Sequence, residues 1–60
     1  MNATATEAIV TLALKKGYGL WVDTDMGELD LYGADLEETY DNLGPGEGFA
    51  VLGILTKEES

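Results

Sequence analysis

The residues best able to do chemistry are acids. The stretch DTDMGELDLYGADLEETYD, residues 23–41, holds eight of the chain's twelve acids in nineteen residues, with no Lys or Arg among them. Carboxylates at that density suggest a metal site, an acid–base pair or a negatively charged face. The metal reading fails on spacing. An EF-hand loop places Gly at its sixth position and Glu at its twelfth; counted from Asp23, those positions are Glu28 and Ala34. DTDMG is better explained as a hairpin turn, since Asp and Gly favour turns for their own reasons. No metal site is therefore expected. The catalytic reading lacks partners for the carboxylates. The chain has no His, no Cys and no Arg, so the commonest general base, the thiolate nucleophile and the bidentate anion clamp are all absent. GPGEG has the composition of a phosphate loop, but no Lys follows it. No catalytic residues and no cofactor are expected, and the protein reads as a non-enzyme.

The remaining reading is a charged face for binding. Twelve acids against Lys15, Lys16 and Lys57 leave a net charge of −9 on 60 residues. Such a surface repels polyanions and attracts basic partners. The hydrophobic fraction of 45% suits a folded domain. A chain of this length buries only about 60% of its unfolded surface, which makes a partner or an oligomer contact valuable. The opening MNATATEA lacks the basic region and cleavage pattern of a signal peptide. No apolar run approaches the ~20 residues of a membrane span. A cytoplasmic location is the default expectation.

The elements that would position these residues follow from periodicity. Residues 1–6 read as a flexible tail. AIVTLAL, residues 8–14, is short, apolar and partly β-branched, and reads as a strand. Residues 20–24 and 28–32 read as second and third strands around the DMG turn. In the third, Leu29 and Leu31 face one way, and Glu28, Asp30 and Tyr32 the other. The period then changes. Leu36, Tyr40 and Leu43 form one stripe of a short helix, with Asp35 as N-cap, Glu38 completing a capping box, and Gly44 and Pro45 ending it. FAVLGILT, residues 49–56, reads as a fourth strand apolar on both faces, and residues 57–60 as a tail. The order β-β-β-α-β predicts an all-β domain with one short helix: a small, partly open β-barrel of OB or SH3-like type spanning residues 7–56.

Gly17-Tyr18-Gly19 followed by Trp21-Val22-Asp23, within VTLALKKGYGLWVDTDMGELDLYGADL, resembles the first three strands of an OB-fold barrel of the ribosomal S-one type. Leu43-Gly44-Pro45-Gly46-Glu47 and the strand after it are similar to the glycine-led start of the family's next strand. The resemblance implies RNA binding, with Tyr18, Trp21 and Tyr32 where the family stacks bases. The family is usually basic there, and this chain is acidic. Phosphate contacts from cations supply much of the affinity for nucleic acid, so direct nucleic-acid binding is not expected. The sequence is read instead as a small acidic module that docks on a basic surface of a larger protein and modulates or inhibits it. Tyr18, Trp21 and Tyr32 are the expected anchors. Asp23, Asp25, Glu28, Asp30, Glu37, Glu38 and Asp41 are the expected steering acids, forming one continuous negative field. The alternatives are a nucleic-acid mimic filling a DNA- or RNA-binding groove, and the RNA-binding module that the resemblance implies. The resemblance also implies a further closing strand after FAVLGILT. An open edge there is expected to pair with a second copy or with a partner's extended segment.

Overall fold

A computed structural model describes residues 3–44 and 48–56. Its element order is α1 (Ala3–Lys16), β1 (Gly19–Thr24), β2 (Gly27–Tyr32), α2 (Gly33–Leu43) and β3 (Phe49–Leu55). This corrects the expected all-β barrel. The sheet has three antiparallel-paired strands in the order β2-β1-β3 and does not close on itself. With two helices packed against it, the domain is mixed α/β.

The largest difference lies at residues 8–14, which belong to α1 rather than to a strand, and the expected tail already forms part of that helix from Ala3 onward. Over fourteen residues, Thr6, Val10 and Ala13 fall at i, i+4 and i+7 and are all buried. That stripe turns one side of α1 inward, with Ile9 and Leu14 beside it. Lys15 and Lys16 occupy the last turn, where cations complement the helix dipole. Gly17 then adopts φ +76°, and the Tyr18 N–H donates to the Ala13 carbonyl at 2.9 Å. This pattern is a Schellman ending, in which a left-handed glycine lets the chain reverse and recover a carbonyl that the helix leaves unpaired.

β1 and β2 form a hairpin in which Thr24 pairs with Gly27 across Asp25 and Met26. The Thr24 hydroxyl donates to the Gly27 carbonyl at 2.9 Å and accepts from the Met26 N–H at 3.1 Å. Gly27 supplies the positive φ, +100°. The helix α2 buries Leu36 and half-buries Tyr40 and Leu43, as the stripe predicts. Its N-cap is Tyr32, without a side-chain cap bond, so the expected capping role of Asp35 is corrected: Asp35 sits within the first turn. There its charge still faces the positive end of the dipole. Gly44 caps the other end, its N–H donating to the Tyr40 carbonyl at 2.8 Å. The expected stop at Pro45 and the tail 57–60 lie outside the described residues.

One core joins the layers. Val10 and Ala13 of α1, Leu36 of α2, and Leu20, Val22, Leu31 and Phe49 of the sheet form a single buried cluster. Full burial of side chains the size of Leu20, Val22, Leu36 and Phe49 contributes roughly 1.5–3 kcal/mol each. Because both helices reach the same cluster, they cover one face of the sheet and, among the described residues, leave the other open. β1 lies between β2 and β3, which run parallel to each other and are linked through α2. β2 and β3 are therefore the edges.

Candidate functional site: the open face of the sheet

β1 alternates: Leu20, Val22 and Thr24 are buried, while Trp21 and Asp23 are exposed. Cross-strand register extends that alternation. Asp23 lies opposite Glu28 of β2 and Ala50 of β3, and Trp21 lies opposite Asp30 and Gly53. Residues directly opposite each other share a face. Glu28, Asp30 and Tyr32 of β2 therefore join Trp21 and Asp23 on the uncovered side. The register between β1 and β3 shifts at Trp21/Val22, so that Leu52 has no Cα partner of its own. Such a bulge bends its strand and re-aims side chains. Leu52 is left 45% exposed.

Two aromatic rings rest on two glycines of this face. Gly19 is paired with Tyr32, and a methyl at Gly19 would overlap the Tyr32 ring. Gly53 is paired with Trp21, and a methyl there would sit 3.2 Å from the indole Cε3. The opposite side of the indole turns toward β2, where its Nε1–H donates to the Glu28 carboxylate at 3.0 Å. Trp21 thus starts on β1, leans on β3 and is tied to β2. It remains 40% exposed. An aromatic held on two sides loses little freedom when something docks on it.

Five of the ten expected site residues come together on this face: Trp21, Tyr32, Asp23, Glu28 and Asp30. The other five do not. Tyr18 follows the α1 Schellman turn and packs against the core. Asp25 is at the hairpin tip. Glu37, Glu38 and Asp41 are exposed on α2, in the helix layer. The single continuous acidic field expected from residues 23–41 is therefore split, because the chain passes from the sheet to the helix layer at Gly33. Glu38 and Asp35 line a separate cleft of 330 Å³ with Met26, Leu31, Thr39 and Asn42. Among the described residues, no group of three or more His, Cys, Asp or Glu side chains lies close enough to hold a metal, and no helix is long and apolar enough to cross a membrane.

The residues that sequence reasoning passes over are Gly19 and Gly53, the platform under the rings. A glycine inside a strand marks close approach of something to the backbone; that signal is present at Gly53, whereas Gly19 precedes the strand expected at residues 20–24. Tyr40 is a further surprise. Its ring meets Phe49 edge-on at 5.2 Å between centroids. Its hydroxyl is buried with no hydrogen-bond partner among the described residues. Burial raises the phenol above its usual range, and the carboxylates of Glu7 and Asp41 push in the same direction.

No family model, curated protein or solved structure was found to match this chain.

Proposed function

We propose that the chain is a non-enzymatic protein-binding module that docks its open sheet face on a basic surface of a larger protein and modulates or inhibits that protein. The observation that carries this reading is Trp21: an exposed indole, propped on Gly53, tied to Glu28 and bordered by Asp23 and Asp30. Aromatic side chains of this kind are the commonest energetic centres of protein interfaces. Acids around such a centre speed encounter with a basic partner and reject acidic ones. Among the described residues the face carries three carboxylates and no Lys, which favours a cationic protein surface over the phosphates of a nucleic acid.

Photo-crosslinking in the source cells tests the reading. A photoreactive residue at Asp23, beside Trp21, should capture a protein with a basic surface, whereas the same residue at Glu37, in the other layer, should not. Purified partner and chain should then associate more slowly as salt rises. Capture from Glu37 alone, or capture of nucleic acid from Asp23, contradicts the proposal.

A further inference from the structure

The two edges of the sheet differ in charge, and so do the two halves of the molecule. β2 carries Glu28 and Asp30. β3, from Phe49 to Leu55, carries no charged residue. The helix layer follows the same division. Besides its contact with α1, α2 packs against β2 and β1, and it bears Asp35, Glu37, Glu38 and Asp41. α1 packs against β1 and β3, and its charges are Glu7, Lys15 and Lys16. Among the described residues, β2 and α2 thus carry six acids and no cation, while α1 and β3 together carry only Glu7, Lys15 and Lys16.

We propose that the free edge of β3 pairs antiparallel with the β3 edge of a second copy, giving a six-stranded sheet in the order β2-β1-β3-β3-β1-β2. This step is independent of what the open face binds. An unpaired edge presents N–H and C=O groups that recruit another strand. The charge pattern selects the strand. A basic extended peptide would find no carboxylate on β3 to complement it. An uncharged strand fits, and β3 itself is such a strand. Ala50, Leu52 and Ile54 are exposed on β3, so pairing gathers two sets of exposed apolar side chains at the seam.

Self-pairing also keeps the acids apart. With strands about 4.8 Å apart, the two β1 strands are separated by about 14 Å across the seam and the two β2 strands by about 24 Å. Both spacings exceed the ~8 Å screening length at physiological salt. Assembly stops at two copies, because pairing of β2 with β2 would bring Glu28 and Asp30 of each copy against those of the other. A two-fold axis normal to the sheet places both open faces on the same side. Each docking surface then becomes half of a larger one with two Trp21 anchors.

Sedimentation equilibrium of the full chain from about 10 µM to about 1 mM tests the pairing by mass action. The mass should rise toward twice the 6.4 kDa of one chain. Over the same range, hydrogen exchange should slow for amides of β3 and stay constant for those of β2. The double variant Ala50→Lys, Leu52→Lys should remain monomeric. It lowers the net negative charge, so dimerisation limited only by overall repulsion would strengthen in it; pairing through β3 weakens. A monomer at every concentration, a dimer indifferent to the two lysines, or protection gained on β2 each overturns the proposal. If the double variant does not fold, the exchange profile of the unaltered chain decides alone. Concentration-independent exchange on β3 then counts against pairing.

Discussion

The indole of Trp21 rests on Gly53, its opposite number on β3, so closely that a methyl at Gly53 would stand 3.2 Å from Cε3. The ring's Nε1–H is meanwhile held by Glu28 on β2. One side chain therefore spans the whole sheet. In Glu28→Ala the indole loses its tie. Exchange of the indole N–H should quicken several-fold, while overall stability changes by no more than about 0.5 kcal/mol, because the bond is exposed. Indole exchange followed by NMR checks this. An unchanged rate would mean that the hydrogen bond does not orient the ring.

Gly19 is more tightly covered than Gly53. A side chain there runs into the Tyr32 ring, and the ring must move. Overpacking of this kind costs about 1–3 kcal/mol. Gly19→Ala should lower the urea midpoint accordingly, and Gly19→Ala combined with Tyr32→Ala should recover part of the loss. Equal effects of Gly19→Ala with and without Tyr32 would show that the two do not interact.

The turn after α1 makes a purely backbone prediction. Gly17 has φ +76° and open space where a side chain would go. Gly17→Ala should therefore cost about 1–2 kcal/mol from the left-handed conformation alone, and Gly17→Asn less, since Asn tolerates that region better. Denaturant titration of both variants measures the difference. A Gly17→Ala variant as stable as the unaltered chain would contradict the Schellman ending.

Much of this fold is readable in the sequence. The strands expected at 20–24, 28–32 and 49–56 and the stripe Leu36, Tyr40, Leu43 reappear within a residue or so of their expected places, because alternation and the glycines at turns are local signals. α1 escapes that reading because AIVTLAL, taken alone, is short, apolar and β-branched, and a run of that length has no decisive period. Extended to residues 3–16, it shows the buried stripe Thr6, Val10, Ala13. The candidate site is half legible for a related reason. Alternation places Glu28, Asp30 and Tyr32 on one face, but nothing local says that α2 crosses to the other layer and carries Glu37, Glu38 and Asp41 away. Gly53 stays hidden because its role depends on the register between β1 and β3, a long-range property.

Tyr40 predicts an alkaline limit. Its phenol pKa is raised in the folded chain by burial and by Glu7 and Asp41, so above its ordinary value near 10 the folded state holds a proton that the unfolded state has released. That contribution to stability is complete below about pH 10 and is lost as pH rises through the folded value. Tyr40→Phe should flatten the decline. It also removes a buried hydroxyl that has no partner among the described residues, so it should leave stability unchanged or raise it by up to about 1 kcal/mol. Urea titrations from neutral pH to about pH 11 check both points, and a steeper decline in the Phe variant would refute them.

The most direct measurement of the docking account is an NMR titration of the labelled chain with a synthetic peptide helix bearing a leucine stripe flanked by lysines, a stand-in for a basic protein surface. The account predicts that shifts concentrate at the Trp21 indole and at Asp23, Glu28, Asp30 and Tyr32, that they weaken as salt rises, and that Trp21→Ala abolishes most of them. Shifts centred instead on Glu37, Glu38 and Asp41 of α2, or undiminished by Trp21→Ala, would contradict the claim that the open sheet face is the docking surface.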